Sequence, residues 1–368
     1  MKKTLLFLLI AVLAFSVVFV SCKSEPSAPA EDGAIHVSTF AQFKTAVVSA
    51  KKTESKTIVF DKDLTWDGDT YNKENVYSPD LTGLTIDMNN HSITGIISTA
   101  FAPTGDSFTF KNGTISLVEA TNTYQKAIMI GFAEKTTNKD YTTEAEQAKA
   151  VTFDSVVING AVYLGDGVFV FNNCSIIGAE AKNNRGLVCY SGHVTLNGTT
   201  VRSRKSGTDA AEVAIYVQET VLKLNNGTVI DSANHGIQAY NNSSVITSGT
   251  VTISAAGNFA IYTNYAKVKS ADEDKYTRVD GKYKNIVTLG SGTTVTSCVK
   301  GVLAMTFGDV YTIESGVSLT GPGGTAEPKY EATSVTAAVG TANTNGYIGW
   351  SAGKGSDLGA ATLTDNRT

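Results

Sequence analysis

The chain has 368 residues, 17% of them charged, with a formal net charge of −4 and 42% hydrophobic side chains. A mildly acidic chain without a basic cluster excludes nucleic acid as a partner. The four cysteines, Cys22, Cys174, Cys189 and Cys298, are too widely spaced for a disulfide framework or a structural zinc site, and the length calls for either two domains or a repeat.

In chain order, Met1-Lys2-Lys3 is a short positive segment, and Leu5 to Val20 is an uncharged apolar run. That run suits a signal peptide over residues 1–21 and is short for a spanning helix. Phe19-Val20-Ser21-Cys22 resembles the lipobox of bacterial lipoproteins, with Phe19 where leucine is usual. The resemblance implies that Cys22 is lipidated and becomes the mature N-terminus, anchored to a membrane by two or three acyl chains. Loss of Lys2 and Lys3 with the signal takes the formal charge from −4 to −6. Residues 22–34, rich in Ser, Pro, Ala and Glu, have no apolar periodicity and read as a flexible tether.

Next, Ser38 or Thr39 can cap a helix that carries Phe40, Phe43, Val47 and Ala50 on one face, followed by a strand over Thr57–Phe60. From there one phrase recurs nine times: a short alternating strand, a polar turn, and a second strand. Its predicted anchors are Met88, Phe110, Phe153, Phe171, Leu196, Leu224, Ile246, Leu289 and Ile313. The residue two before is usually large and apolar, and the residue five after is Ile or Val in the first seven copies. Two after stand Asn90, Asn112, Ser155, Asn173, Gly198, Asn226, Ser248, Ser291 and Ser315, which suit a bend and predict a stacked polar ladder. The last two copies carry one extra residue.

Most anchors lie 18 to 28 residues apart, enough for a three-sided coil, and a further strand lies between them, as in Leu187–Tyr190, Ala214–Val217, Ile237–Tyr240 and Ala260–Tyr262. The two gaps of 43 residues hold inserted loops near 133–150 and 266–285, both leaving the coil at the same place. The predicted fold is therefore all-β: a single right-handed parallel β-helix over residues 35–321, with an N-terminal capping helix and a C-terminal cap or tail over 322–368. A last strand is expected within Gly346–Trp350.

This pattern resembles the pectin-lyase-like superfamily of parallel β-helices, in the start His36-Val-Ser-Thr-Phe-Ala-Gln-Phe43 and in the coil Asn234-His-Gly-Ile-Gln-Ala-Tyr-Asn-Asn-Ser-Ser244. The resemblance implies polysaccharide lyases and glycoside hydrolases as the first enzyme class. Their Asn-Thr-Asp, Asp-Asp, Gly-His-Gly, Arg-Ile-Lys and Trp-Ile-Asp-His phrases are all absent. His36, His91, His193 and His235 each stand beside a turn or strand start and read as solvated turn histidines. A divergent lyase would still need a base near a carboxylate, with calcium as helper only in that case. Arg202, Arg204, Lys205, Asp209, Glu212 and Asp231 are the local candidates. No other metal or cofactor is expected, since no phosphate-binding loop, nucleotide fingerprint or Ser-His-Asp pattern is present.

The aromatic pattern is sharper. Alternation turns Leu187, Cys189, Ile215, Val217, Ile237, Ala239 and Ile261 inward, and Tyr190, Tyr216, Tyr240 and Tyr262 outward. Four tyrosines on consecutive coils predict a flat stripe, flanked by Gln218, Gln238, Asn241 and Asn264. Aromatic faces stack on sugar rings and amides bind hydroxyls, so the stripe suits a glycan; stacked tyrosines also simply strengthen a sheet. The loop after Tyr262, with Tyr276, Arg278 and Tyr283, could wall it, and the earlier loop, with Tyr141 and Glu144, leaves the equivalent edge nearer the N-terminus. The expectation is a non-catalytic, lipid-anchored protein of the bacterial cell envelope, periplasmic or at the cell surface, presenting a face to a glycan or protein. The alternatives are a polysaccharide lyase or hydrolase of divergent motif and a structural or antigenic surface lipoprotein.

Overall fold

The computed structural model describes residues 33–52, 54–65, 78–95, 102–117, 126–131, 144–178, 185–203, 213–264, 284–297, 301–305, 308–321, 324–325, 348–350 and 362–367. Within them the chain forms an all-β parallel β-helix built from two sheets, one of 21 strands and one of eight. Each full coil gives two strands to the long sheet and one to the short sheet. Pairing between coils is parallel: Phe171 lies over Phe153 and under Leu196, and Ile215 lies between Leu187 and Ile237. Rungs about 4.8 Å apart let identical inward positions stack into one core.

That core runs the length of the rod. Phe110, Phe153 and Phe171 stack with centroids 5.6 and 4.7 Å apart and rings within 16° and 4° of parallel. Leu196, Leu224, Leu289 and Ile313 continue the inward positions, all fully buried. Burying each such side chain contributes about 1.5–3 kcal/mol. Several polar groups lie in the interior, bonded to backbone or to one another. Thr199 and Thr228 donate to the carbonyls of Phe171 and Leu196, and the wholly buried Tyr311 hydroxyl donates to Thr263 Oγ1 at 3.0 Å.

Thr39 caps the helix Phe40–Ala50, its hydroxyl accepting from the Gln42 amide at 3.2 Å, while Gln42 reaches back to the Ser38 amide. Phe40, Phe43, Ala46, Val47 and Ala50 face the core, and Phe43 sits edge-on to Phe60 at 5.5 Å. The helix therefore closes the N-terminal mouth, and Lys51 at its end pairs with Asp80 of a later coil.

Three details of the repeat differ from the sequence reading. Phe110 lies over Ile86, so Ile86 holds the anchor position and Met88 is an additional inward residue before a longer turn. Gly113 in the next coil is small because an added Cβ would stand 2.4 Å from Met88 Cβ. In the seventh copy Val245 and Thr247 point inward and Ile246 does not, because Leu222 and Leu224 pair with them. The extra turn residue enters at the sixth copy: Val201 pairs with Ile230, six positions after Leu224, leaving Val229 half-buried. Each slip occurs where apolar residues stand side by side or alternate beyond the strand, so either frame satisfies a period of two.

The bend itself follows conformation. Asn112, Ser155, Asn173 and Gly198 hold φ of +56, +57, +53 and +58° in the early copies, and Gly227, Gly249, Gly292 and Gly316 hold +83, +73, +87 and +81° in the later ones. Residues that tolerate the left-handed region occupy the one place the turn demands it. The polar ladder stands one residue earlier than expected: Asn225 Nδ2 donates to Asn197 Oδ1 and Asn197 Nδ2 to Asn172 Oδ1, both at 2.7 Å. A second ladder lines the corner after the short sheet. There the amides of Thr220, Ser243 and Asn285 donate to the side chains of Ser243, Asn285 and Asp309 in the coil that follows, at 3.3, 3.0 and 2.9 Å.

Both long gaps follow a short-sheet strand, Lys126–Ile130 and Phe259–Asn264, and end at long-sheet strands starting at Val151 and Ile286. The first carries a short helix, Glu144–Gln147; residues 132–143 and 265–283, with Tyr141, Tyr276, Arg278 and Tyr283, lie outside the described residues. So do Cys22, Cys298 and residues 1–32. Beyond residue 321, Ile348–Trp350 pairs in parallel with Gly301–Met305, and Thr362–Asp365 with Val310–Ile313, continuing both sheets.

Candidate functional site

Among the described residues, a second cluster of apolar side chains away from the core lies on the outer face of the short sheet. Ala161, Tyr163, Val188, Val213 and Tyr216 form it, with Met129, Tyr190 and Tyr240 packed against them.

The sheet register divides this face into three columns. Tyr163, Val188, Tyr216, Gln238 and Tyr262 make one; Tyr190, Gln218, Tyr240 and Asn264 make the next. The four tyrosines do occupy consecutive coils, but they alternate between columns. The expected flat stripe is therefore a stagger, and Gln218 and Gln238 fill the intervening rungs instead of flanking it. Ring centroids follow one another at 5.8, 5.1 and 6.2 Å, inclined by 56, 34 and 68°, so the rings tilt against one another. The physical reason is coil length. Tyr190 and Tyr240 end their strands, whereas Tyr216 and Tyr262 stand two residues earlier.

Burial separates the two columns over most of their length. Tyr216 and Gln238 are 8% and 6% exposed, whereas Tyr190, Gln218, Tyr240 and Asn264, with Tyr262 at the end of the first column, are half-buried. The second column is thus the strip a ligand can meet, and Tyr216 supports it from beside. Asn264 Nδ2 donates to the Tyr262 hydroxyl at 2.6 Å, and the Tyr216 hydroxyl donates to Gln218 Oε1 at 3.4 Å. Burial pushes the Tyr216 phenol up and the Tyr240 phenol well above the ordinary range, so both stay neutral and keep a proton to donate.

A third column was missed from sequence: Arg185, Val213, His235 and Phe259. It arises because each short-sheet strand turns its first residue outward and sets a small residue, Gly186, Ala214, Gly236 or Ala260, against the core wall. A Cβ on Gly186 would meet Val201 Cγ1 at 2.8 Å, and one on Gly236 would meet the Ala260 carbonyl at 2.4 Å. Those small residues, each just before an inward Leu or Ile, are the sequence signal that could have located the column. His235 is 5% exposed, its ring 5.3 Å from Tyr262 and 6.2 Å from Phe259, which corrects its reading as a solvated turn residue. The Arg185 guanidinium lies over Tyr216, 4.0 Å from the ring centroid.

The remaining candidates are placed only in part. Arg202 and Asp231 are neighbours on the long sheet, Nε to Oδ2 3.4 Å, both exposed, with Ser254 bonded to the same aspartate. Arg204, Lys205, Asp209 and Glu212 lie outside the described residues. His36 and His91 face Asp61 and Asp63 at 2.6 and 3.5 Å near the N-terminal cap. Among the described residues no group of three or more His, Cys, Asp and Glu is placed to hold a metal ion. Cys174 and Cys189 are free and buried, and burial raises their thiols to about 11 and about 12, so neither is a nucleophile. No family model matches the chain, and comparison with curated proteins and with solved structures finds no match.

Proposed function

We propose that this is a lipid-anchored protein of the bacterial cell envelope whose β-helix binds a glycan along the strip Tyr190–Gln218–Tyr240–Asn264, with no catalytic step. The carrying observation is that strip itself: two tyrosines alternate with two amides, all half-buried, beside the more deeply set Tyr216 and Gln238. Tilted phenol rings offer apolar faces to the C–H side of a sugar ring, and the amides between them can exchange hydrogen bonds with its hydroxyls. A parallel sheet holds both sets on stiff backbone, which lowers the ordering cost of binding.

The anchor rests on the apolar run from Leu5 to Val20 ending at Cys22, and on the tether that follows it. Replacing Cys22 by Ala should abolish incorporation of labelled palmitate and release the protein from the membrane fraction; unchanged labelling would overturn the anchor.

For binding, Tyr190→Ala and Tyr240→Ala should each weaken a glycan found on an array by about 10-fold or more, as expected of aromatic anchors. Binding that survives both substitutions would remove the strip from the reading. Tyr216→Ala should act differently, lowering stability through the cluster it leaves.

A further inference from the structure

The structure describes three arginines in this chain, and the fold neutralises two of them. Arg202 meets Asp231 at 3.4 Å and Arg367 meets Asp365 at 2.8 Å. Arg185 has no carboxylate within ion-pair distance among the described residues, and its Nε has no acceptor there. Its side chain is half-buried between coils, with the guanidinium against the face of Tyr216. A partly desolvated cation without a counter-charge is costly to a fold, and stacking on one phenol ring offsets only part of that cost.

The location gives this charge a use. Arg185 begins the strand that ends in Tyr190, and Val188 between them is fully buried. Tyr216, under the guanidinium, is tilted against both Tyr190 and Tyr240, with centroids 5.8 and 5.1 Å away. The cation thus stands beside the proposed sugar strip and not on a separate surface. Resting on an aromatic face restrains the planar fork, and a restrained guanidinium loses less freedom when it takes a two-oxygen anion. The Tyr216 and Tyr240 phenols, kept neutral by burial, do not compete for it.

We infer that the glycan bound on this face is acidic, and that Arg185 sets that preference by holding a carboxylate or sulfate group. This rests on the glycan reading of the strip and narrows it to a ligand class.

The test measures Kd at fixed salt for three oligosaccharides of one backbone, neutral, carboxylated and sulfated, on the full chain. The acidic ligands should bind roughly 10-fold or more tightly than the neutral one, and the acid that loses more on removing Arg185 identifies the group held. Arg185→Gln should bring the acidic ligands down to the neutral one's affinity and leave the neutral one within about 3-fold. Arg185→Lys keeps the charge and loses the fork, so it should fall between the two; it serves as the readout if the glutamine variant does not fold. An acid-to-neutral ratio that stays the same in both variants, or a wild-type preference for the neutral sugar, overturns the inference. Neutral binding that Tyr240→Ala removes, with no charge preference, overturns it while the glycan reading stands. No binding of any oligosaccharide overturns both.

Discussion

Asp80 shows how one side chain ties two coils. Its Oδ1 accepts from the Thr82 amide at 3.1 Å and the Thr82 hydroxyl at 2.7 Å, and the other oxygen meets Lys51 at the end of the capping helix. The lysine, followed by the two Thr82 bonds, holds the carboxyl down at about 2, against 3.8 for a free aspartate. A depressed folded-state pKa means that the contribution is fully present above about 4 and is lost as the pH falls towards 2. Asp80→Asn should therefore lower thermal stability by a constant amount from neutral pH down to about 4.5, and the difference from wild type should vanish by about pH 2. The pair is largely exposed, so the amount is at most about 1 kcal/mol. Circular dichroism melts of both proteins across that range check it, and a difference that persists at pH 2 would locate the effect outside this charge. Nothing in the sequence around Asp80 announces the pair, because Lys51 and Asp80 meet only when the helix folds back over the mouth. The same limit hid Arg185: its meaning lies in Tyr216, 31 positions on, and in the absence of an acid beside it among the described residues.

Strands and turns answer to different rules, and one turn allows both to be tested. Deleting Asn226 would leave Leu224, Asn225, Gly227, Thr228, Val229 and Ile230 in the spacing that Leu196 to Val201 already use. Gly227 would take the place of Gly198 and Ile230 would stay inward. The losses are local, chiefly the bond from the Thr250 amide to Asn226 Oδ1, so the cost should be about 1 kcal/mol. Deleting Lys223 instead would make the fully buried Leu222 and Leu224 consecutive, so that one of them must turn outward and leave the core, a loss of several kcal/mol. Urea unfolding of the two deletions decides between turn tolerance and strand tolerance; equal costs would mean that the turn is as constrained as the strand. The strands were legible for a related reason. Thr-Phe-Asp and Thr-Leu-Asn leave one frame for alternation, and Phe153 and Leu196 fall where expected. Val229-Ile230 and Val245-Ile246 allow two frames, and only the neighbouring coil chooses. The tyrosines stand on the outer face of consecutive coils as expected, but their columns depend on coil lengths, which alternation does not contain.

A rod of stacked coils should lose stability locally, since each coil touches mainly the coils before and after it. Phe43 is the place to ask whether it does. The ring is fully buried, 5.9 Å from Phe40 and 5.5 Å from Phe60, and it plugs the open end of the core. Phe43→Asp removes that plug and places a carboxylate against Ile58 and Phe60, at a cost above the roughly 3–5 kcal/mol of an aromatic truncation. If the coils interact only with neighbours, hydrogen exchange should rise through Thr57–Phe60 and Thr85–Asp87 and stay near wild type in Val221–Leu224 and Val251–Ala255. The Phe110–Phe153–Phe171 stack lies between the two regions and is the barrier on which fraying should stop, because its large stacked rings couple those coils across the interior. A uniform loss of protection along the rod would mean that the core melts as one unit. Local loss has a functional consequence: the tyrosine strip lies in the strands from Arg185 to Asn264, which begin in the coil of Phe171 and run away from the mouth, so Phe43→Asp should weaken the N-terminal mouth and leave ligand affinity at that strip unchanged.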